Sequence, residues 1–183
     1  MTRSEDTRNV GDEFKGFSHQ EIVRQLDRRG VELEIAIENL ERDYNMGTIV
    51  RSANAFGVRR VHVIGRRQWN KRGAMMTDKY LHVEYHDSVA GFVEAARSRS
   101  RQIIAIENNV DSQPLSQIQL ARNCILVFGS EASGISDDLL ALVDQVVHIE
   151  QLGSTRSLNV GVAAGIAMYE WARTQELDKI HIE

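Results

Sequence analysis

The sequence predicts an α/β fold, a mainly parallel sheet with helices on both faces. Three observations predict it. Strand-like apolar segments alternate with segments of helical period from residue 31 to residue 173. Several of the strand-like segments, above all 124–128, are continuously apolar, as strands buried on both faces are. At 183 residues and 42% hydrophobic, the chain is long enough for one well-cored domain and short for two. In such sheets ligands bind outside the carboxyl ends of the strands, which here carry residues 107–108, 129–134 and 150–157.

Residues 1–17 are polar, charged and without periodicity, and read as a flexible tail. Ser18 and Glu21 fit a capping box, and Ile22, Val23 and Leu26 share one side, which gives a short helix within 18–30 ending near Gly30. The domain proper runs over 31–175, with 176–183 as a second tail. A first strand over 31–37 alternates Val, Leu, Ile and Ile with acidic or small residues. After a polar loop, Asn45 is placed to cap a helix in which Met46, Ile49, Val50, Ala53 and Phe56 fall at helical spacing, with Gly57 as its stop.

Residues 59–65 read as the second strand, 80–85 as the third and 102–107 as the fourth. Between the last two, Ser88 caps a helix over 88–99 carrying Phe92, Val93 and Ala96. A short helix over 115–121 is expected after the only proline, Pro114. The most apolar strand, 124–128, precedes a Ser136-capped helix over 136–143, whose first turn holds Asp137 and Asp138. The strand 146–149 leads through a polar loop to a helix over 157–173. Leu158, Val162, Ile166, Met168 and Trp171 leave that helix almost no polar face, so it should be buried nearly all round, with Ser157 placed to cap it.

A net charge of −4 argues against wholesale polyanion binding, so any nucleic-acid surface must be local. Arg59, Arg60, Arg66, Arg67, Lys71 and Arg72 gather around Trp69. A basic loop with one aromatic suits single-stranded or looped RNA, by phosphate contact and base stacking. The bland alternative is a solvated loop with Trp69 tucked into the core.

The single Cys124 excludes disulfides and zinc knuckles and reads as a small buried hydrophobe. His82 and His86 could share a strand face, yet no third ligand is near in sequence, so no metal is expected. No signal-peptide core or membrane-length apolar span is visible, and a cytoplasmic protein without a membrane partner is expected. Neither a dinucleotide-binding glycine fingerprint, a phosphate-binding P-loop nor a serine-hydrolase elbow occurs. Taken alone, Gly129 to Gly134 is a tight strand-to-helix turn. Ser157 and Asn159 taken alone mark the mouth of a capped core helix, where open N–H groups suit anionic or electron-rich ligand groups.

Three segments together carry more. They are NLERDYNMGTIVRSANAFG over 39–57, FGSEASGI over 128–135, and 149–169 with Ser157-Leu158-Asn159-Val160 inside it. In order and spacing they resemble the three motifs of the SPOUT superfamily of RNA methyltransferases, in its TrmH-like (SpoU) branch, over roughly residues 32–173. The resemblance implies a deeply knotted α/β trefoil, S-adenosylmethionine folded into the knot, and a homodimer whose active site draws on both subunits. It places Asn45, Arg51, Glu131, Ser157 and Asn159 at the chemistry. Glu107, Gly129, Ile149 and Leu158 would contact the cofactor.

The reaction implied is methyl transfer to a ribose 2′-hydroxyl of tRNA or rRNA. Family proposals give proton removal to the arginine, here Arg51. Taking a proton from a guanidinium near neutral pH costs about 1.4 kcal/mol per pKa unit over roughly five units or more. Stabilising the developing alkoxide or gripping a neighbouring phosphate suits Arg51 better. The chain departs from the family pattern in having no proline within 40–44, Glu150 where proline often follows Ile149, and Gly161 where serine is common. The rival reading is a non-catalytic RNA-binding or assembly factor that kept the fold.

Overall fold

The computed structural model describes residues 8–38, 43–108, 111–130 and 133–177. Among them are strands β1 (Glu34–Glu38), β2 (Arg60–Ile64), β3 (His82–His86), β4 (Gln102–Ile106), β5 (Gln113–Pro114), β6 (Cys124–Phe128) and β7 (Gln145–His148). They form one sheet in the order β3-β2-β1-β6-β4-β7-β5, with every pairing parallel. The helices are α1 (His19–Arg29), α2 (Asp43–Ala55), α3 (Val89–Ser98), α4 (Asp137–Leu140) and α5 (Val160–Ala172).

The period-two pattern sorts the strand residues onto two apolar faces. Ile35, Ile37, Val61, Val63, Leu126 and Phe128 pack with α2 and α5. Ala36, Ile64, Ile125 and Val127 pack with Phe92 and Val93 of α3 and Leu139 of α4. Every residue of β6 is buried, which is why its sequence shows no polar alternation. Burial pushes the Cys124 thiol up to about 12, so it is inert at neutral pH. Trp171 is fully buried and donates its indole N–H to the Ala121 carbonyl at 3.0 Å, anchoring the end of α5.

Several boundaries differ from expectation, each for a local reason. Val31 bonds the Gly57 carbonyl rather than a strand partner, so β1 starts at Glu34. The helix expected over 115–121 is only a 3-10 turn, Leu115–Gln117, because the chain then extends and Leu120 is buried. The helix expected over 136–143 stops at Leu140. Asp144 clamps the chain to β4, its carboxylate accepting the Ile103 N–H at 2.7 Å and its own N–H meeting the Ile103 carbonyl at 2.9 Å. Residues 12–14 of the expected tail form a 3-10 turn whose Phe14 is buried against Ile22 and Tyr80.

Beneath α3 lies an ionic network, buried at His62 and Glu34 and partly exposed at Glu84, Arg60 and Arg99. His62 Nε2 bonds Glu34 Oε2 at 2.8 Å, and His62 Nδ1 lies 2.9 Å from His86 Nε2. Glu84 is held by Arg60 at 2.6 Å and Arg99 at 3.4 Å. His82 and His86, expected to share a strand face with no third ligand near in sequence, part company: His82 bonds Asp27 at 2.9 Å, whereas His86 joins His62 and Glu84, whose ligand atoms lie within 4.8 Å of one another. Sequence could not show this because β2 and β3 pair in register across a loop. The guanidinium groups on Glu84 make the cluster an ion network.

Its pH response follows from its charges. Burial, and then the charge of His62, hold His86 below its ordinary 6.5. Burial opposes ionisation of Glu34 and Glu84, but the His62 hydrogen bond to Glu34 and the Arg60 charge on Glu84 win, and both carboxyls stay below their ordinary 4.5. A depressed histidine takes up fewer protons folded than unfolded, so stability falls as the pH drops below about 6.5. The depressed carboxyls extend that loss as the pH falls from about 4.5 through their folded values. Thermal midpoints measured from pH 8 to pH 3 are expected to hold until the pH nears 6.5, to fall below it, and to fall again below about 4.5. His86→Gln should flatten the upper part of the curve only.

Candidate active site

The carboxyl ends of β4, β6 and β7 open into a cavity of about 500 Å³. Ile106, Phe128, Ile149 and Leu158 give it apolar wall, and Glu107, Asp137 and Arg156 give it charge. The loop after β6 closes on itself, since Ser130 and Gly134 exchange two backbone hydrogen bonds of 3.0 and 2.9 Å. The closure brings the loop's far side onto Gly129, where a Cβ would lie 2.2–2.3 Å from backbone atoms of Gly134 and Ile135. Only glycine fits there. The Glu107 carboxylate accepts the Ile135 N–H at 3.0 Å and the Asn108 N–H at 2.9 Å. Asn108 ties this loop to the next, donating to the Arg156 carbonyl at 2.5 Å.

All four residues expected at the cofactor, Glu107, Gly129, Ile149 and Leu158, line this one cavity, as does Ser157. Glu131 lies outside the described residues. Ser157 does not cap α5. That role falls to Asn159, whose Oδ1 accepts the N–H groups of Gly161 and Val162 at 3.0 and 3.3 Å. Its amide Nδ2 donates to Asn45 Oδ1 at 3.0 Å, joining the mouths of α5 and α2. Asn45 is likewise no cap, because α2 starts two residues earlier, at Asp43. Gly161 keeps the helices close, with the position of a Cβ only 3.1 Å from Thr48 Cγ2. Glu150 is tied back by the Ser116 hydroxyl, a hydrogen bond that holds its carboxyl below the usual range.

Arg51 is exposed on α2, away from the buried side of Ile49, Val50 and Ala53. One turn before it, Gly47 meets the 71–74 turn, where a Cβ would lie 2.7–2.9 Å from backbone atoms of Gly73 and Ala74. The basic loop therefore docks beside the helix that carries Arg51.

The basic cluster itself divides. Arg59 and Arg60 sit at the start of β2, bound to Asp27 and Glu84 at 2.9 and 2.6 Å. Arg66, Arg67, Lys71 and Arg72 lie past its end, about 3.3 Å per residue away along the strand. Arg67 pairs with Asp87 at 2.8 Å and Lys71 with Asp78 at 2.8 Å, while Arg66 and Arg72 are exposed. Trp69 is half-buried against the core, its N–H 3.3 Å from the Tyr85 hydroxyl and Lys71 5.5 Å over its ring.

The α5 helix is not buried all round. Val162, Ile166 and Tyr169, one stripe at helical spacing, are 52%, 39% and 52% exposed. Sequence reasoning read Ser136 as a helix cap, which it is, but missed Glu38 and the bonds by which the two meet beside the cavity. The available signal was an acid ending the strand Glu34–Glu38, both faces of which are covered.

A family model described as the SpoU rRNA methylase family matches residues 32–169. The chain belongs to the SpoU rRNA methylase family. The tRNA (guanosine(18)-2′-O)-methyltransferase of Escherichia coli is 28% identical over 158 residues, covering 85% of this chain and 69% of that one. The crystal structure of the Aquifex aeolicus TrmH/SpoU tRNA modifying enzyme superposes with a TM-score of 0.78 at 25% identity, over 90% of this chain and 86% of that one. The SpoU methyltransferase AviRb of Streptomyces viridochromogenes, in complex with the cofactor AdoMet, gives 0.69 at 25% identity, over 81% and 60%. The family match thus spans the sheet, the cavity loops and most of α5, and the α/β fold expected from sequence is the fold of these enzymes.

Proposed function

We propose that the chain is an S-adenosylmethionine-dependent methyltransferase acting on a ribose 2′-hydroxyl of tRNA, working as a cytoplasmic homodimer. The observation that carries this is the convergence at one strand-end cavity of Gly129, Ile149, Ser157 and Leu158, with the Asn45–Asn159 bond and Arg51 on the adjoining helices. Membership of a methylase family, a relative named for tRNA 2′-O-methylation and a similar enzyme bound to AdoMet support it. The cavity fits the cofactor's size class of about 300–1,000 Å³, and its apolar walls beside closely approached backbone suit an adenosine.

When bound, S-adenosylmethionine supplies an electrophilic methyl group for in-line displacement by the 2′-oxygen. The protein's work is placement. Glu107 and the Ser130–Gly134 bonds fix one cavity wall, and Asn159 orients Asn45. Arg51, exposed on α2 beside that Asn45–Asn159 bond, is a cation that can serve the developing alkoxide or its neighbouring phosphate. The exposed stripe Val162–Ile166–Tyr169 supports a dimer, since a second copy would cover it. No helix among the described residues is long and apolar enough to cross a membrane.

Calorimetric titration is expected to find one S-adenosylmethionine per subunit, with binding abolished by Leu158→Trp in a variant that remains folded. Incubation with isotopically methyl-labelled cofactor and unmodified tRNA should then yield one labelled 2′-O-methyl nucleoside on digestion. A folded dimer that binds the cofactor but labels no tRNA would refute the tRNA assignment.

A further inference from the structure

We propose that Glu38 is a positioning residue that holds the cofactor loop in its binding shape through Ser136. This rests on the function proposed above. Glu38 ends β1 and is 8% exposed. Its Oε2 accepts the Ser136 backbone N–H at 2.8 Å, and its Oε1 accepts the Ser136 hydroxyl at 2.6 Å. That hydroxyl in turn accepts the Leu139 N–H at 3.3 Å as the cap of α4. One carboxylate therefore fixes both the exit of the loop and the start of the helix that follows.

The arrangement has a counterpart across β6. β1 and β4 flank β6 in the sheet, and each sends a carboxylate to the loop that β6 feeds. From the β4 side, Glu107 holds the Ile135 N–H at 3.0 Å; from the β1 side, Glu38 holds the next N–H, that of Ser136. Ile135, Asp137 and Leu140 line the cavity on either side of Ser136, whereas neither Glu38 nor Ser136 does. Glu38 thus acts only through what it holds. A buried carboxylate is stable only when hydrogen-bonded, and charge-assisted bonds are the stronger kind, so this staple is firm and its loss is felt by the wall it supports.

The test uses the full chain with Glu38→Ala, Glu38→Gln, Ser136→Ala and the Glu38→Ala/Ser136→Ala pair. Calorimetry gives cofactor affinity, initial rates give kcat and each KM, and hydrogen exchange without cofactor reports on 133–140. Glu38→Ala is expected to weaken cofactor binding about thirtyfold, and Glu38→Gln, which keeps one acceptor oxygen, about fivefold. The KM for cofactor should rise while kcat and the KM for RNA stay within about twofold. Adding Ser136→Ala to Glu38→Ala should cost less cofactor affinity than Ser136→Ala costs alone, because the link to Glu38 is already gone and only the Leu139 cap remains to be lost. Exchange should quicken over 133–140 and not in β1.

Parental cofactor affinity in Glu38→Ala would overturn the proposal alone, provided the parent binds. A parent chain that binds no cofactor would overturn the functional reading and this inference with it. Loss of kcat, RNA affinity and sheet-wide exchange protection together would make Glu38 merely structural. Should Glu38→Ala fail to fold, Glu38→Gln and Ser136→Ala decide the matter by the same readings.

Discussion

Arg51→Lys will lose about a hundredfold in methyl transfer while binding S-adenosylmethionine as tightly as the parent chain. The geometry behind this is the placement of Arg51 on α2. It is exposed, opposite the buried Ile49 and Ala53, between the side that meets the basic loop and the side that meets α5. The substitution removes no cavity wall, so cofactor affinity should hold. A lysine keeps the charge but gives up the planar fork of donors that can span an alkoxide and a phosphate together. Single-turnover rates from pH 6 to pH 9 check it and separate two roles. If Arg51 took the proton, the lysine variant would recover as pH rises toward the ammonium pKa, because a neutral amine is the better base. If Arg51 stabilises charge, the deficit stays constant across that range. Full activity in the lysine variant would sink both versions.

Gly129→Ala should abolish cofactor binding, by more than about a hundredfold, in a chain that still folds. Its Cβ would enter backbone atoms 2.2–2.3 Å away, and backbone cannot rotate aside as a side chain can. The Ser130–Gly134 closure must open, which displaces the wall that Ser130, Gly134 and Ile135 form. Overpacking of this kind costs about 1–3 kcal/mol of stability, so the thermal midpoint should drop without loss of the fold. Gly153→Ala is the control, since a Cβ there meets nothing within 4 Å. Calorimetry on both variants checks the pair. Unchanged affinity in Gly129→Ala would mean that the loop is open when cofactor binds.

Much of this architecture was legible in the sequence because strand burial leaves a direct trace. The β6 run Cys124–Phe128 fell where it was expected, residue for residue, since both sheet faces demand apolar side chains there. Ser88 capping α3 was also readable, because the cap lies three residues from the N–H it satisfies. What escaped was set by partners distant in sequence. Asn159 rather than Ser157 caps α5, a choice settled where Asn45, 114 residues away, takes the other end of the same amide. The role of Glu38 depends on Ser136, 98 residues on. The basic cluster looked continuous because Arg59 and Arg66 are near in sequence, yet a strand carries them to opposite ends of the sheet. The apolar helix α5 was read as buried nearly all round because composition shows how much surface must be covered but not what covers it.

The strand order also sets a timetable for synthesis. Ile35 and Ile37 of β1 find their β6 partners in Leu126 and Phe128, about ninety residues further along. At roughly 5–20 residues per second, a ribosome needs about 5–20 seconds to deliver them. During that interval β1 with β2 and β3 presents an unpaired, apolar edge to the cell, the kind of surface that invites wrong pairing. Closing the loop late, with α5 and Trp171 arriving later still, makes formation of the active site a final event rather than a gradual one. A chain cut short before α5 would lose more than a helix. It would carry the cavity's strands without the element that brings Asn159 to Asn45, and so have nothing to hold its two helix mouths in register.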